Sequence, residues 1–161
     1  MVVEISSEIA DWEREKPQKF WDPSRKLLRS IRKYQGVNKN TILGKLLSKY
    51  WVLIHRFWSV VTGAEIDLSC QIGGGLLIPH PNGIVIHPKA VIGVNCLIFQ
   101  QVTIGGGGKP PIINGHTDIG AGAKILGSIK IGAHAKIGAN AVVVKNVETG
   151  TTVVGIPAKV I

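Results

Sequence analysis

The sequence has few cysteines and few acidic residues, and it has no long uncharged hydrophobic run. Cys70 and Cys96 are the only cysteines among 161 residues, and their separation matches no metal-binding motif, which disfavours a zinc module or a disulfide framework. No segment resembles a secretion signal, and none stays uncharged for long enough to span a bilayer. We therefore expect a cytoplasmic protein without a bound metal.

The scarcity of acids leaves a formal net charge of +9 that is unevenly distributed. Residues 1–62 contain twelve Lys and Arg against six Asp and Glu, whereas residues 63–161 contain seven against four. A basic excess can attract nucleic acid. Because no nucleic-acid-binding motif and no interleaving of aromatic and basic residues accompanies the charge, we expect no nucleic-acid partner.

A strict six-residue repeat dominates the second part of the chain. Aliphatic residues recur at Ile119, Ile125, Ile131, Ile137 and Val143, a spacing that neither a helix nor a simple strand produces. One inward side chain per six residues fits one flat face of a three-sided solenoid, whose coils bury their apolar faces by stacking. The two cysteines occupy the compact inward position of such blocks, which predicts buried free thiols.

The repeat is interrupted at two places. Its phase shifts by two residues between Ile84 and Ile86, after the turn-like Pro81-Asn82-Gly83. A gap of nine residues between Ile104 and Ile113 contains the glycine-rich segment 105–111. Because insertions in solenoids map to loops, often on the binding face, both interruptions are candidate functional sites.

Residues 1–62 lack the repeat and predict an α-helical region. The last predicted helix is apolar over most of its circumference, so it has to pack against something. The predicted helices run from about Ser7 to before Pro17, from Pro23 with Asp22 as N-cap, and from Thr41 to Val61 with Asn40 as N-cap.

Three partners suit this apolar helix. The first is another subunit or the base of the solenoid. The second is peripheral contact with a membrane, in which Lys45, Lys49 and Arg56 face the lipid headgroups. The third is a partner protein.

Residues 63–161 resemble the serine acetyltransferase branch of the hexapeptide acyltransferases. The matching segments are GAEIDLSCQIGGGLLIPHPNGIVIHP, VTIGGGGK, IGAGAKILGSIKIGAHAKIGANAVV and VVGIPAKV. The resemblance implies a mainly β fold, a left-handed parallel β-helix domain over 63–161 that follows the α-helical region over 1–62. It also implies homotrimers with acetyl-CoA in a groove between adjacent subunits, and leaves open whether trimers pair into hexamers.

The resemblance implies direct acetyl transfer from CoA to an acceptor hydroxyl, with His80 as general base. His80 lies in Pro79-His80-Pro81-Asn82-Gly83, which matches the family's His-x-x-Gly stretch. The family orients this histidine with a carboxylate fifteen residues earlier, which corresponds to Glu65, and Asp67 is the alternative carboxylate. A purely structural role of His80 in the turn is the other interpretation.

The same resemblance assigns the CoA groove. Glycines allow the backbone to approach a ligand closely, and either Lys136 or Lys159 is a candidate for contact with a CoA phosphate. The matching positions for CoA binding are Gly106, Gly107, Ala121, Gly122, Lys136 and Ala139.

The sequence departs from the family at the positions that hold the acceptor. The family has an Asp before the catalytic His and an Arg-His pair in the loop, where this chain has Pro79 and Lys109-Pro110. Lysine lacks the two-pronged geometry of arginine, and His116 is a poor substitute because its block predicts a turn position. L-Serine, as in cysteine biosynthesis, and a sugar or glycan-precursor hydroxyl are both open as acceptors.

The family's C-terminal tail, which engages cysteine synthase, is not matched either. Ile161 follows closely on Pro157-Ala158-Lys159. We expect no cysteine synthase complex.

Two other functions share the predicted fold. A γ-class carbonic anhydrase binds zinc through three histidines, but the spacing of His80, His87, His116 and His134 predicts no close pair. A non-catalytic solenoid that serves as an interaction protein would bind no CoA. The sequence favours the acetyltransferase.

Overall fold

The computed structural model describes residues 5–161, which form a parallel β-solenoid of about four turns preceded by two α-helices. The first four positions of the predicted helical region lie outside the described residues. The elements are a 3-10 turn Trp12–Glu15, α1 Pro23–Gln35, α2 Ile42–Thr62, β1 Glu65–Ile66, β2 Gln71–Ile72, β3 Val85–Ile86, β4 Val91–Ile92, β5 Leu97–Ile98, β6 Thr103–Gly105, β7 Ile112–Ile113, β8 Asp118–Ile119, β9 Lys124–Leu126, β10 Lys130–Ile131, β11 Lys136–Ile137, β12 Val142–Val143, β13 Thr152–Val154 and β14 Lys159–Val160.

The prediction of a helix from Ser7 is wrong, because only the 3-10 turn Trp12–Glu15 forms in this segment. The preceding residues run along the solenoid instead, where the carbonyl oxygens of Ser6 and Ile9 accept hydrogen bonds from the Asn95 side chain, each at 2.7 Å. These tertiary hydrogen bonds take the place of helical ones.

The two α-helices have the predicted positions. Asp22 is the N-cap residue of α1, as predicted, but its side chain makes no capping hydrogen bond and its carboxylate accepts from the Gln18 N–H at 3.0 Å instead. The N-cap of α2 is Thr41 and not Asn40, since the extended backbone at Thr41 lets Oγ1 accept from the Gly44 N–H at 3.0 Å. Gly63 ends α2 in the left-handed conformation, at φ 63°.

Three flat sheets make up the solenoid. The first sheet has the order β1-β3-β6-β9-β12, the second β10-β7-β4-β2 and the third β14-β13-β11-β8-β5. All pairs are parallel except β13 with β14. The chain passes from the first sheet to the second and the third and then begins the next coil, which is the predicted three-sided winding.

The strand register confirms both interruptions. A regular coil has 18 residues, as in the pairing of Ile86 with Ile104. The pairing of Ile66 with Ile86 spans 20 residues, because the turn 79–83 adds two, and that of Ile104 with Ile125 spans 21, because the segment 105–111 adds three. The last coil is shortened to 16 residues between Ile137 and Val153, which the repeat does not predict.

The core is a stack of the repeated aliphatic residues with small residues between them. Cys70 and Cys96 are fully buried free thiols in the compact positions, as predicted. Burial raises the pKa of each thiol to about 11, so both stay protonated near neutral pH and are poor nucleophiles.

Two polar clusters attach the N-terminal segment to the first coils. Glu15 and Arg32 form a two-pronged ion pair at 2.7 and 3.0 Å, and Arg32 also donates to the carbonyl oxygens of Ile72 and Gly73. The second cluster surrounds the buried Asn95, whose side-chain oxygen accepts from the Asp11 N–H at 2.8 Å. Together these contacts fix the segment that leads into α1.

His55 makes the stability of the helical pair dependent on pH. It is buried between Ser30 Oγ, 2.9 Å from Nδ1, and Ser59 Oγ, 3.4 Å from Nε2, and burial lowers its pKa below the ordinary 6.5. The unfolded chain therefore takes up a proton at this histidine before the folded chain does, and the free energy of unfolding should fall as pH drops below 6.5, by up to about 1.4 kcal/mol per pH unit. Urea midpoints measured between neutral and mildly acidic pH test this, and a His55→Gln variant with the same slope as the wild type would contradict it.

Within residues 5–161, no helix combines the length and the apolar character needed to cross a bilayer.

Candidate active site

His80 lies in the two-residue insertion at the corner between the third and the first sheet. The Gly83 N–H donates to the Gly63 carbonyl oxygen of the coil below, and the Gln101 N–H donates to the Asn82 carbonyl oxygen from the coil above. These hydrogen bonds fix both sides of the turn and leave the His80 side chain exposed. We call this corner, residues 79–83, 99–102, 120–123 and 138–141, the His80 edge.

A cleft of about 490 Å³ opens beside His80. The segment before α1, the first turn of α1 and the last turn of α2 form its far wall, in which the Trp21 ring packs edge-to-face against Trp58 at 5.6 Å between centroids. The lining residues are Gln18, Lys19, Trp21, Asp22, Pro23, Ser24, Arg25, Val61, Thr62, Pro79, His80, Pro81 and Asn82. The helical region therefore contributes nine of the thirteen residues that line the cleft, and sequence reasoning did not find them.

The cleft wall carries both signs of charge. Arg25 Nη1 lies 3.2 Å from Asp22 Oδ2, and Arg25 Nε donates to the Arg14 carbonyl oxygen at 2.9 Å. Lys19 lies at the same wall with an exposed side chain. A small polar molecule that bears a charged group can therefore find a complementary charge close to His80.

Glu65 starts β1 at the same end of the first sheet as His80, but no hydrogen bond joins the two side chains in the described chain. Glu65 lines a separate cleft of about 230 Å³ beside His55. Asp67 accepts hydrogen bonds from the N–H and hydroxyl of Ser69, which lower the pKa of this carboxyl and commit it to a local turn. The orienting role of Glu65 stays a prediction.

The residues assigned to CoA lie on two different corners of the chain. Ala121, Gly122 and Ala139 lie on the His80 edge, where the Gly122 N–H donates to the Gln100 carbonyl oxygen and the Asn140 N–H donates to that of Ala121. Lys136 is exposed on β11, which leads into this edge, and Lys159 lies on β14 of the same sheet.

The glycine loop, residues 105–111, occupies the corner at the other end of the first sheet. Gly106 has φ 118°, and a Cβ there would lie 2.7 Å from the Gly127 nitrogen, so only glycine fits. A Cβ on Gly107 would meet nothing within 4 Å. Because Lys109 belongs to this loop, one chain does not bring the two predicted acceptor positions, Pro79 and Lys109, together.

His116 and His134 correct one sequence inference. Their Nδ1 atoms lie 2.8 Å apart with the rings edge-to-face, so a close histidine pair does exist. The two histidines are 18 residues apart, which is one regular coil without an insertion, so they stack on consecutive coils at the corner between the second and third sheets. His116 has φ 52° in a turn, as predicted, and lies away from the His80 cleft. Among residues 5–161, no group of three or more His, Cys, Asp and Glu side chains could hold a metal ion.

Gln100 is a candidate that sequence reasoning missed. It lies on the coil above the His80 turn, and its side-chain oxygen is buried without a hydrogen-bond partner among the described residues. A buried acceptor without a donor is costly, so a donor from a bound molecule would satisfy it. The only signal in the sequence is its place at the corner next to the two-residue phase shift.

The comparisons with known proteins agree with the observed fold, although no family model matches the chain. A serine acetyltransferase of Staphylococcus xylosus is 41% identical over 153 residues, which cover 87% of this chain and 71% of that protein. The serine acetyltransferase of Synechococcus elongatus is 43% identical over 114 residues, or 68% of this chain and 47% of that protein. The chain thus spans about half the length of several curated relatives that it matches.

Solved structures show the same similarity. A serine acetyltransferase in complex with CoA superposes with a TM-score of 0.72 at 32% identity, over 88% of this chain and 57% of that one. The serine acetyltransferase of Brucella abortus gives a TM-score of 0.73 at 31% identity, over 90% and 61%. With 41% identity over most of both sequences and a matching solenoid, this chain belongs to the serine acetyltransferase family.

Proposed function

We propose that this chain is an acetyl-CoA-dependent O-acetyltransferase in which His80 is the general base. The observation that carries the proposal is the placement of an exposed imidazole, on a two-residue insertion, in the lining of a cleft of about 490 Å³. The relatives named serine acetyltransferases and the similar structure in complex with CoA support the activity.

The chemistry needs little beyond a base and hydrogen-bond donors. His80 takes the proton of the acceptor hydroxyl as its oxygen attacks the thioester carbonyl, and backbone N–H groups stabilise the tetrahedral oxyanion. When the carbon–sulfur bond breaks, the imidazolium returns the proton to the departing CoA thiolate. A carboxylate near the imidazole, which we assign to Glu65, stabilises the imidazolium.

We propose that the complete site forms between two chains of a homotrimer. The His80 edge and the glycine loop lie at opposite ends of the first sheet within one chain. A groove that contains both therefore requires the His80 edge of one chain to face the glycine loop of another. Whether trimers pair further is a separate question, which sedimentation velocity can answer.

L-Serine is the first candidate for the acceptor, because the similar proteins are serine acetyltransferases. A sugar or glycan-precursor hydroxyl is the second, because Pro79 and Lys109 replace the charged residues that the family resemblance implies for binding an amino acid. Acetyl-CoA turnover with L-serine and a panel of sugars distinguishes them. Release of CoA without any of these acceptors, or no CoA binding at all, would contradict the proposed function.

The glycine loop supplies a test of CoA binding. Gly107→Ala adds a methyl group in open space, so folding should be unchanged while the Kd for CoA rises about tenfold, equivalent to about 1.4 kcal/mol. Isothermal titration with CoA measures this, and Ser128→Ala, at another exposed position, is the matched control. An unchanged Kd in the Gly107→Ala variant would remove this loop from the CoA site.

A further inference from the structure

Helix α2 carries an apolar stripe that nothing in the described chain covers. Its residues occur every three or four positions and therefore lie on one side of the helix. Each is between 51% and 83% exposed. The residues of this apolar stripe are Ile42, Leu46, Tyr50, Leu53, Phe57 and Val60.

The buried side of α2 is a different one. Gly44, His55, Trp58 and Thr62 are its buried residues, and at 100° per residue they lie opposite the apolar stripe. The apolar stripe is therefore separate from the side of α2 that packs against the rest of the chain. Its contiguous apolar surface along a helix of 21 residues marks an interaction site.

Basic residues follow one border of the apolar stripe. Lys45, Lys49 and Arg56 are exposed and, by the same rotation per residue, lie within a narrow sector beside Ile42 and Val60. Neither α1 nor α2 contains an Asp or a Glu, whereas α1 adds the exposed Arg29 and Lys33. One border of the stripe is therefore cationic, and neither helix places an acidic residue near it.

This charge decides between the two simplest occupants. A second copy of α2 that docked antiparallel through the same stripe would place two cationic borders against each other, which is unfavourable. A bilayer with anionic lipids instead offers apolar chains to the stripe and phosphate groups to the lysines and Arg56. We propose that α2 lies in the surface of an anionic membrane, with the apolar stripe inserted and Lys45, Lys49 and Arg56 at the headgroups.

The end of α2 connects the proposed membrane contact to the cleft beside His80. Val61 and Thr62, which follow the last residue of the stripe, line the cleft beside His80. A chain bound in this way holds that cleft next to the lipid surface.

Co-sedimentation with vesicles tests the proposal without any use of catalytic activity. We expect the wild-type protein to bind phosphatidylcholine vesicles that contain about one third phosphatidylserine, and to bind pure phosphatidylcholine at least tenfold more weakly. Leu46→Ser with Leu53→Ser should reduce binding at least tenfold, because the inserted apolar area is lost. Replacement of Lys45, Lys49 and Arg56 by Gln should reduce binding about a hundredfold at low salt.

Matched controls lie on the solenoid. Val85→Ser removes an exposed apolar residue and Lys130→Gln removes an exposed cation, and neither should change vesicle binding. Unchanged circular dichroism melting curves show that the α2 variants fold. The proposal is overturned if the wild type does not bind anionic vesicles, if it binds neutral ones equally well, or if the Leu46→Ser, Leu53→Ser variant alters only the oligomeric state in sedimentation velocity.

Discussion

Replacement of His80 by alanine is expected to lower kcat/KM for acetyl transfer by about 10²–10⁴-fold, the usual contribution of a general base. The Kd for CoA should stay within about twofold of the wild-type value, because the residues assigned to CoA lie on higher coils of the His80 edge and in the glycine loop. Steady-state release of CoA thiol, with the acceptor that the panel identifies, measures the first quantity, and titration with CoA measures the second.

The control for His80→Ala is another histidine at a solenoid corner. His134 has φ 58°, a conformation that asparagine tolerates, so His134→Asn removes an imidazole without straining the backbone. This variant should retain wild-type activity. If His80→Ala keeps more than about one third of the wild-type kcat/KM, His80 is a structural residue of its turn and the proposed mechanism is wrong.

Replacement of Arg32 by methionine is expected to lower the free energy of unfolding by about 3–5 kcal/mol. The variant leaves the Glu15 carboxylate, which is 7% exposed, without its cationic partner, and it removes the hydrogen bonds to the carbonyl oxygens of Ile72 and Gly73. Loss of one partner of a buried ion pair costs far more than the pair itself contributes. A fall in Tm of about 10 °C in a calorimetric scan would agree with this estimate.

An exposed ion pair in the same segment is the control for Arg32→Met. Glu13 and Lys16 form a salt bridge with side chains 74% and 64% exposed, so Glu13→Gln should change the free energy of unfolding by less than about 1 kcal/mol. Equal effects of the two variants would mean that the Glu15–Arg32 pair does not hold the N-terminal segment on the solenoid.

The sequence predicts the solenoid well because its repeat is a direct consequence of the winding. Each inward position must be apolar and compact enough to stack. The buried residues Ile104, Cys96 and Ala135 therefore all indicate the same stacked coils. The insertions at 79–83 and 105–111 can be read from the sequence for the same reason. Each changes the phase of the repeat, and the extra residues have to lie in a corner between two sheets.

Contacts between distant segments have no comparable signal. The hydrogen bonds that Asn95 makes to residues 6–11 follow from the fit of an extended segment against a corner, and no local pattern encodes this fit. The pairing of His116 with His134 is different, because their separation of 18 residues is one regular coil and the six-residue repeat alone predicts that they stack. The wall of the cleft beside His80 was missed because residues 18–25 come from outside the repeat.

The attachment of the N-terminal segment at Asn95 has a consequence for biosynthesis. The parallel strand pairs join residues 16 to 21 positions apart, so each new coil can wind onto the previous one as the ribosome extends the chain. Asp11 and Asn95 are 84 positions apart, so the segment that is translated first stays undocked until the second coil has formed. The contact of residues 6–11 with the second coil therefore forms late, during or after translation of the solenoid.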